Sequence, residues 1–475
     1  MKKILSFSLF VVFSALSAFA GHVDTYGIGA KATSMGGAVV AGIDDPYAVY
    51  YNPAAMVNIK RPTLSLGTHI VDPSLTIKEY DVETSGLLAD PSFGAEDISD
   101  RSPLLVVPHF GYVTPINDKF TFGMAFYVPY GLDLRWDDNG ATNPAAYNTF
   151  HSWYKREVLT PSLSYKVNDK FSLGAGISLG KAQAGNERIR YVPAKLKSSA
   201  AWTAVLSALR PGDPTNAATA AGLAAKYTAL GDATFNMSYE DEFNISYNFG
   251  ALYKFNDKWS AGITYRSFSH VDLEGTAKVT PEQPLWGNDD LDSNTSVDTP
   301  DSVQFGVQYM ITPKLRVEAD IVRTFWSNID SYTVEFEDDL LNVAGASEEV
   351  YQRHWMDTWQ YRLGMEYKLN DTVDLRAGYY YDESTVPKDT FDVLWPDSNK
   401  HVFSLGAGFH FGNVTLDTVV QYIYIEKLTI NLGASENLND SYVRELLGYS
   451  IHDAEVEAVA EGHIWSFGIT ASYKF

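Results

Sequence analysis

The chain ends on a segment in which bulky apolar and small polar residues alternate strictly. In HIWSFGITASYKF, the last thirteen residues, every second position carries an apolar side chain. An extended strand places alternate residues on opposite faces. One face of this strand therefore carries Trp465, Phe467, Ile469, Ala471, Tyr473 and Phe475. Such a strand fits either the core of a soluble β-sandwich or the lipid-facing wall of a membrane barrel, and the remaining segments decide between the two.

The same alternation recurs in pairs of segments joined by short turns. The turns are INDKF at Ile116, VNDKF at Val167, FNDKW at Phe255, ITPKL at Ile311, LNDTV at Leu369 and FGNVT at Phe411. Asn-Asp tolerates the left-handed backbone that tight hairpin loops require. These six turns join twelve strands, a segment from Pro62 to about Tyr80 precedes them, and the terminal strand follows. The pattern predicts fourteen strands.

The short turns alternate with much longer polar connections. Short turns on one side and long loops on the other are typical of outer-membrane barrels. Pairing of the last strand with the first would leave no open sheet edge in lipid. We therefore predict an all-β membrane protein, a 14-stranded antiparallel transmembrane β-barrel over residues 61–475, with Phe475 at the periplasmic interface.

The N-terminus has the pattern of a secretory signal peptide. Two lysines precede an apolar run, Ile4 to Leu16, and Ala18-Phe19-Ala20 supplies the small residues of a cleavage site. The run is shorter than the roughly 20 residues that span a bilayer, which argues against an N-terminal membrane anchor. We predict a signal peptide over residues 1–20 and a location in the outer membrane of a Gram-negative bacterium.

Composition narrows the chemistry. Aromatic residues make up 14 % of the chain and 35 glycines accompany them, which suits a barrel with interfacial rings outside and little bulk inside. The absence of cysteine excludes disulfides, thiol catalysis and cysteine metal sites. The net charge of -23 argues against a nucleic-acid partner. We predict no cofactor and no metal, and interpret the acidic stretches 287–301 and 335–349 as solvated loops, with divalent-cation binding as the alternative.

Catalysis has little support in the sequence. The ten histidines are scattered, and the metalloprotease pattern H-E-x-x-H does not occur. We therefore predict that the protein is not an enzyme.

Residues 21–60 do not alternate. The segment YGIGAKATSMGGAVVAGIDDPYAVYYNPAAM is rich in glycine and alanine and contains two helix-start signals, Asp45-Pro46 and Asn52-Pro53. A periplasmic tail is the alternative, but the segment is too apolar to be solvated well, and a fourteen-stranded lumen needs filling unless it is an open channel. We predict an N-terminal hatch, a plug inside the lumen, with Asp44, Asp45, Asn52, Pro53 and Ala54 as candidate residues.

Several motifs together carry a family resemblance. They are KATSMGGAVVAGIDDPYAVYYNPAAM, IVDPSLTI, PHFGYVTPINDKFTFGMAFYVPYGL, TFWSNI, HWMDTWQYRLGMEYKL and YDESTVP. Over nearly the whole mature chain the sequence resembles the FadL/TodX (OMPP1) family of outer-membrane transporters of long-chain fatty acids and other hydrophobic compounds. The resemblance implies a fourteen-stranded barrel, an N-terminal hatch, a ligand groove among the extracellular loops, a deeper apolar pocket, and a side opening made by a kink of the third strand.

The third strand, from Lys119 to about Trp136, contains YVPYGL. Pro129 cannot donate to a strand ladder and Gly131 permits a bend, so the segment weakens local pairing. The simple interpretation is that the pair ends the strand near the membrane surface. Because the resemblance places the family's kink here, we predict a lateral opening at Pro129, Tyr130 and Gly131.

The longest loop, about Gln183 to Phe243, contains two helical patterns whose apolar residues share a side. In the resembled family this loop and the next form the first landing site for ligand; mutual packing of the helices is the alternative. The candidate residues are Trp202, Leu206, Leu209, Leu223, Tyr227, Leu285 and Trp286.

Arg188 and Arg190 lie near the position at which the resemblance places a basic ligand contact. A guanidinium binds a carboxylate through a two-pronged fork, although lumen arginines often pair with Asp and Glu instead. A second basic residue expected after FWSNI is missing, and Thr333 is near that position. This departure leaves uncharged aromatic or aliphatic hydrocarbons as an alternative ligand class, and a general porin as another function.

The predicted partners follow from this interpretation. They are a hydrophobic small molecule, outer-membrane lipid and the barrel assembly machinery, because a terminal Phe475 after an alternating strand resembles the signal which that machinery reads. We expect a monomer.

Overall fold

The structure, a computed structural model, describes residues 27–231, 233–343, 346–446 and 449–475. The side chains of Leu132, Leu209 and residues 444–451 are outside the described part. The predicted signal peptide, residues 1–20, also lies outside it.

Antiparallel strands dominate the chain. In order they are β1 Thr63–Ser85, β2 Phe93–Ser99, β3 Leu105–Pro115, β4 Phe120–Arg135, β5 His151–Lys166, β6 Phe171–Ile189, β7 Thr234–Lys254, β8 Trp259–Arg266, β9 Asp272–Thr280, β10 Asp290–Ser296, β11 Ser302–Thr312, β12 Leu315–Thr324, β13 Ser331–Phe336, β14 Glu348–Gln352, β15 Thr358–Lys368, β16 Val373–Asp382, β17 Lys400–Phe411, β18 Val414–Ile430, β19 Arg444–Leu446 and β20 Tyr449–Lys474.

The helices are short. They are α1 Ala30–Ser34, α2 Ala48–Tyr51, α3 Ser199–Leu209, α4 Asn216–Gly231 and α5 Glu436–Asp440, with 3-10 helices at Pro53–Asn58, Pro144–Tyr147, Trp326–Asn328, Leu340–Asn342 and Lys388–Thr390. Within the described ranges, no helix has the length and apolar character needed to cross a bilayer.

Fourteen of the strands pair in a closed ring. The order is β1, β3, β4, β5, β6, β7, β8, β11, β12, β15, β16, β17, β18 and β20, and every pairing is antiparallel. β20 returns to β1, with Leu64 opposite Tyr473 and Thr68 opposite Ile469. The predicted 14-stranded antiparallel barrel is confirmed.

The terminal strand faces lipid with its apolar side. Phe467 is 51 % exposed and Ile469 is 45 % exposed, whereas Ser466 and Thr470 are buried towards the lumen. In a soluble sandwich the apolar face would be the buried one. The alternation that runs to the end of the chain is therefore that of a barrel wall with lipid outside and a packed, polar interior.

Four neighbouring strands are interrupted at the same height on the side of the long loops. β8 stops before β9, β10 before β11, β12 before β13 and β14 before β15, each with a gap of a few residues. An isolated bridge between Ser269 and Thr299 crosses the first two gaps. Beyond the gaps, β9, β10, β13 and β14 form an outer extension of the sheet.

The outward side chains change from apolar to charged at these gaps. Trp259, Ile263 and Tyr265 on β8 are exposed, and so is Phe268 in the gap. His270 and Asp272, which follow on the same face, are exposed and polar. The apolar belt of the barrel thus ends at the gaps, which mark its extracellular edge.

Residues 27–62, called the plug below, fill the barrel as far as Ile59, and Lys60 and Arg61 are exposed at its rim. Lumen carboxylates bind the plug backbone: Asp320 Oδ2 accepts hydrogen bonds from the N–H groups of Val39 at 3.0 Å and Val40 at 3.1 Å. Glu318 Oε1 accepts a third from Ala41 at 2.6 Å. Buried backbone groups need such partners, so β12 anchors the plug through three consecutive N–H groups.

Glycines on the lumen face allow the plug to approach the wall closely. A Cβ at Gly174 would overlap the backbone of Pro53, and a Cβ at Gly378 would overlap the backbone of Gly36. Backbone atoms cannot move aside as the end of a flexible side chain can. The glycine content of the strands is thus partly a packing requirement of the plug.

Two sequence expectations need correction. The predicted loop from 183 to 243 is shorter, because β6 continues to Ile189 and β7 begins at Thr234, and alternating inward residues extend the wall beyond the belt. The acidic stretches 287–301 and 335–349 are not simply solvated loops. The first contains β10, and the second contains the end of β13 and the start of β14, with Leu341 buried between them.

Candidate functional site

Three of the predicted loop residues form an aromatic cluster on the extracellular side. Trp202 of α3 stacks on Tyr227 of α4 with ring centroids 5.8 Å apart, and Tyr227 meets Trp286 edge-on at 5.3 Å. The Lys226 Nζ lies 3.7 Å from the centroid of the Trp286 ring, and Trp286 Nε1 donates to the Lys226 carbonyl at 3.0 Å. These contacts connect the loop that contains α3 and α4 to the loop between β9 and β10.

The other predicted loop residues differ in exposure. Leu206 is buried and Leu223 is partly buried, so packing between the helices accounts for much of their surface. Leu285 is 58 % exposed and offers an apolar side chain next to the aromatic cluster. The side chain of Leu209 lies outside the described part.

Arg188 and Arg190 have different environments. Arg188 Nη2 donates to both carboxylate oxygens of Glu349 at 2.7 Å, and Nη1 donates to the Tyr351 hydroxyl at 3.3 Å. Among the described residues, Arg190 has no carboxylate oxygen within 4.0 Å, and it lines a polar space shared with Asp392. Glu349 and Asp440 line the same space. Of the two predicted carboxylate contacts, Arg190 is the one without a direct ion pair among the described residues.

An apolar pocket lies below this polar space, inside the barrel. The space between its lining residues is partly open and continues into the neighbouring spaces of the lumen. Aromatic rings dominate the lining: Tyr130, Trp153, Tyr154, Tyr239, Trp326, Tyr332, Tyr351, Trp355 and Trp395. Tyr351 and Leu394 also line the polar space above, so the two spaces adjoin. A concave aromatic lining of this kind suits a hydrophobic ligand.

A polar chamber lies between the apolar pocket and the plug. Tyr50 of the plug forms part of its lining, together with Arg266, Arg362 and Lys400. The apolar pocket and the polar chamber share four aromatic residues: Tyr130, Trp326, Trp355 and Trp395. The lumen above the plug is thus layered along the barrel axis, with an apolar zone between two polar zones.

The ladder between β3 and β4 is incomplete beside these spaces. β4 pairs with β3 up to Phe110 opposite Phe126 and not beyond, in the described ladder. The pairing of β4 with β5 shifts register between Tyr127 and Tyr130, where Pro129 stands. A proline has no N–H for the ladder, which explains the bulge. The upper part of β4 therefore separates from β3.

The stretch in which β4 does not pair with β3 has an upper limit as well as a lower one. The Arg101 N–H donates to the Arg135 carbonyl at 2.7 Å, which closes the wall again beyond the end of β4. We call this stretch, in which β4 has no ladder to β3, the window. Tyr130 lies at its edge and also lines the apolar pocket and the polar chamber. The simple interpretation that Pro129 ends the strand is wrong, since β4 continues to Arg135 and Gly131 pairs with β5.

The predicted Asn-Pro-Ala signal starts a 3-10 helix in the plug. The Asn52 side chain accepts a hydrogen bond from the Ala54 N–H at 3.0 Å, and Pro53 occupies the first helical position. Asn52 Nδ2 also donates to the Val40 carbonyl at 2.7 Å and to the Ala251 carbonyl of the wall at 3.1 Å. One amide thus caps a helix, closes the plug on itself and ties it to β7.

The two plug aspartates have separate contacts. Asp44 Oδ1 lies 2.7 Å from the Lys31 Nζ, an ion pair within the plug. Asp45 Oδ1 accepts the Tyr47 N–H at 2.8 Å in a turn before α2. The predicted helix start at Asp45-Pro46 is wrong, because α2 begins at Ala48 with Tyr47 at its N-cap and has no capping side chain. Both residues shape the plug backbone.

The two ends of the barrel meet at the periplasmic rim. The Phe475 N–H donates to the Pro62 carbonyl at 2.9 Å, and Arg61 Nε donates to the Phe475 carbonyl at 2.7 Å. The Phe475 ring is exposed and stands edge-on to Tyr473. The terminal residue both completes the last ladder and contributes to the lipid-facing aromatic rim.

Sequence reasoning missed most of the pocket lining. Trp326 and Trp355 lie in the motifs TFWSNI and HWMDTW, which carried the family resemblance, but nothing in their spacing indicated a cavity. Trp395 and Arg353 were also missed. Arg353 is buried, donates to Asp392 Oδ2 at 2.6 Å and lies over the Tyr332 ring, so it supports the pocket from behind.

One serine motif has no catalytic context. Residues 176–180 read GISLG, a G-x-S-x-G sequence, but they lie within the regular strand β6. In α/β-hydrolases, where this motif holds the nucleophile, the serine stands on a sharp strand-to-helix turn. The Ser178 hydroxyl instead lies 2.8 Å from Thr160 Oγ1 on the neighbouring strand, which is a structural contact.

A closed barrel with an apolar belt, a filled lumen and an aromatic pocket beside a window in the wall is the architecture of an outer-membrane transport protein for hydrophobic compounds. The chain belongs to the family described as Outer membrane protein transport protein (OMPP1/FadL/TodX), whose model matches residues 9–475. It is accordingly an outer-membrane protein, and the members of its family are transport channels.

Two curated relatives illustrate the similarity. The Long-chain fatty acid transport protein of Escherichia coli K12 is 24 % identical, over 91 % of this chain and 89 % of the relative. Outer membrane protein P1 of Haemophilus influenzae is also 24 % identical, over 100 % of both chains.

Solved structures share the fold. A FadL homologue of Pseudomonas aeruginosa superposes with a TM-score of 0.73 at 20 % identity, over 96 % of this chain and 100 % of the other. The toluene transporter TbuX of Ralstonia pickettii superposes with a TM-score of 0.60 at 17 % identity, over 94 % and 98 %. Both likenesses concern the barrel architecture.

Proposed function

We propose that the protein takes up long-chain fatty acids passively across the outer membrane. The extracellular aromatic cluster around Trp202, Tyr227 and Trp286, with Leu285, captures the ligand. The acyl chain then enters the apolar pocket while Arg190 meets the carboxylate, since a guanidinium is suited to that group. The fatty acid leaves sideways through the window at Pro129 and Tyr130.

One observation carries this proposal. Tyr130 belongs at once to the apolar pocket and to the edge of the window, so a ligand in the pocket is already beside the opening. The residues at this level face the apolar belt, where Leu104 and Leu159 are exposed. A hydrophobic molecule can therefore pass from the pocket to lipid without entering water, which its transfer free energy favours.

The plug supports release through the wall because it fills the straight route through the barrel. Its backbone is bound by wall side chains, and Tyr50 forms part of the lining of the polar chamber. A straight aqueous route would require the plug to move. Deletion of residues 21–60 should raise the ion conductance of the barrel strongly; an unchanged conductance would favour a general porin instead.

Uncharged hydrocarbons are a second candidate ligand class. Nine aromatic rings line the apolar pocket, Arg188 is already paired with Glu349, and Thr333 is near the position at which the family resemblance leads one to expect a basic residue. The relatives include both a fatty-acid transporter and a toluene transporter by name. Fatty acids carry a charged carboxylate and hydrocarbons do not, so competition experiments between the two kinds of ligand show which class the protein binds.

The proposed role needs no catalytic step and no second protein in the membrane. We infer that the barrel works as a monomer, and that the terminal Phe475 serves the assembly machinery during insertion into outer-membrane lipid.

The test uses cells that depend on this protein for uptake. Uptake of labelled palmitate should exceed that of cells without the protein, and the purified protein in mild detergent should retain acyl chains detectable by native mass spectrometry. Uptake of toluene but not palmitate would move the assignment to hydrocarbons. Uptake of neither, with folded protein in the outer membrane, would refute transport of both ligand classes.

A further inference from the structure

A row of polar residues runs along the wall from strand to strand, just below the gaps. Strand pairing places Asn248, Arg266, Ser302, Thr324 and Thr358 side by side on five successive strands. Four of the five line the polar chamber. Arg266 is the charged member of this row.

Arg266 is held only by neutral groups. Its Nε donates to the Tyr50 carbonyl at 3.3 Å, its Nη1 to Ser302 Oγ at 3.4 Å and its Nη2 to Gln304 Oε1 at 3.5 Å. The guanidinium carbon lies 4.1 Å from the centroid of the Tyr50 ring. All three hydrogen bonds are long compared with the usual 2.9 Å or so for charged donors. In the described ranges no carboxylate oxygen lies within 4.0 Å of this guanidinium.

Other cations of the lumen are paired with carboxylates. Arg316 Nε lies 2.9 Å from Glu366, and Arg376 Nη1 lies 2.6 Å from Asp417. Lys400, on the opposite side of the polar chamber, lies 2.6 Å from Asp397. Partners of this kind offset the cost of removing a charge from water. Arg266 has no such partner of its own.

Arg156 makes a useful contrast. It also has no described carboxylate partner, but Asn244, Ser246 and Ser269 accept its hydrogen bonds at 2.8 to 3.1 Å. Its side chain is buried and does not line the apolar pocket or the polar chamber. Arg156 is therefore satisfied as a structural residue, whereas Arg266 keeps donors directed at an accessible space.

The surroundings of Arg266 favour an anionic head group with an apolar tail. Three carboxylates, Asp382, Glu383 and Asp397, also line the polar chamber, and they have partners: Asp382 and Asp397 pair with Lys400, and Glu383 accepts the Trp359 N–H. Arg362 stands beside Arg266 as a second guanidinium of the lining. The Tyr130, Trp326 and Trp355 side chains separate the chamber from the apolar pocket and are part of both. An amphiphile that lies across these rings would have its chain in the apolar pocket and its charged end beside Arg266.

We propose that Arg266 is an inner binding station for the carboxylate of an amphiphilic ligand, reached after Arg190 and before release through the window. A carboxylate replaces the long contacts to Ser302 and Gln304 with a two-pronged, charge-assisted pair. The station keeps the head group at the level of Tyr130 while the acyl chain is free to turn towards the window. This assignment rests on the proposed uptake of fatty acids.

The test compares an acid with its neutral ester. Dibrominated stearate and its methyl ester quench tryptophans that they contact, and Trp326, Trp355 and Trp395 report on the pocket. The proteins, held in lipid nanodiscs, are the unaltered chain, Arg266→Gln, Arg266→Lys and the control Arg323→Gln. Arg323 lies one residue before the polar row on β12 and pairs with Asp357 at 3.0 Å, so it controls for the loss of an arginine as such.

Arg266→Gln should weaken binding of the acid about tenfold or more, the size expected for loss of a charge-assisted pair, and change binding of the ester less than about twofold. Arg266→Lys should recover most of the affinity, and Arg323→Gln should resemble the unaltered chain. Equal effects on acid and ester, or none on the acid, would overturn the Arg266 station alone. Failure of the unaltered chain to bind either probe would overturn the proposed function and the station with it.

Discussion

Glu349 holds Arg188 in a two-pronged ion pair, with both carboxylate oxygens 2.7 Å from the same guanidinium nitrogen. The two residues are 161 positions apart in the chain and lie on β14 and β6, which are not neighbours in the sheet. The pair therefore connects two parts of the wall above the apolar pocket. It also removes Arg188 from the groups that can meet an anionic ligand, which leaves Arg190 at the entrance.

Replacing Glu349 by Gln should release the Arg188 guanidinium and create a second cation beside Arg190. We expect the affinity for stearate to rise about three- to tenfold, because a charge-assisted contact becomes available, while the affinity for methyl stearate stays the same. Glu348→Gln, at the exposed neighbouring position, is the matched control. Unchanged stearate affinity in a folded Glu349→Gln protein would show that Arg188 does not face the ligand path.

The window should matter more to transport than to folding. The double substitution Pro129→Val and Gly131→Thr restores a backbone donor and favours a straight strand, which should allow β4 to pair with β3 above Phe126. We expect a folded barrel whose uptake of labelled palmitate falls about tenfold or more at equal protein levels. Undiminished uptake would argue for a route past the plug, with Asn52 and Pro53 as the next positions to alter.

Wall glycines should control the seating of the plug. Gly378→Ala places a Cβ against the Gly36 backbone, so we expect the plug to shift and the conductance in planar bilayers to increase. Gly222→Ala is the control, since a Cβ there meets open space within α4 and alanine favours helix. Equal conductance of the two variants would mean that the plug tolerates a displaced wall contact without opening.

His270, at the extracellular edge of the apolar belt, should titrate above its ordinary value. Its hydrogen bond to Asp298, at 2.5 Å, and the nearby Asp272 raise the pKa of His270 above 6.5. The protonated ring favours the folded arrangement, so this contribution is full below pH 6.5 and disappears as the pH rises through the raised pKa. Histidine-selective NMR of the labelled protein should show the shift, and Asp298→Asn should reduce it; a ring that titrates at 6.5 in both proteins would contradict the contact.

The terminal phenylalanine should be important for assembly beyond its role as an interfacial ring. Deleting Phe475 removes the last ladder contact to Pro62 and the acceptor of Arg61 Nε. We expect less heat-modifiable barrel in the outer membrane and normal export across the inner membrane. Phe411→Ala removes a similarly exposed ring at another periplasmic turn and should assemble nearly normally. Equal assembly defects in both variants would show that Phe475 contributes to assembly only as one of the exposed aromatic rings of the belt.

The barrel could be predicted from the sequence because its signals are local. Each hairpin has its own turn, such as Asn117-Asp118 or Asn256-Asp257, and period-2 alternation identifies the wall strands on both sides of it. Asn52-Pro53 likewise predicts a helix start, because the signal consists of two adjacent residues. Pro129 indicated a defect in the third strand, because the lack of an N–H is a property of that residue alone.

The pocket could not be predicted in the same way because it depends on distant residues. Trp326, Trp355 and Trp395 come from three separate loops that fold into the lumen, and no periodicity links them. The charge of the stretch around Glu349 predicted a solvated loop. In the structure Glu349 instead pairs with Arg188, which lies on a distant strand. Which lumen arginine is neutralised is decided by the register of the closed sheet, which single-strand patterns do not specify.

The bond between Arg61 and Phe475 closes a loop of 414 residues. Almost the entire mature chain must be synthesised and exported before the first and last strands can meet, so the contact order of this fold is high and its folding is slow. Until that final contact forms, the alternating aromatic side chains have neither lipid nor a partner strand. The waiting chain is then prone to aggregate in the aqueous compartment it crosses. The closed ring thus requires that the exported chain be kept from aggregating until its last strand has arrived.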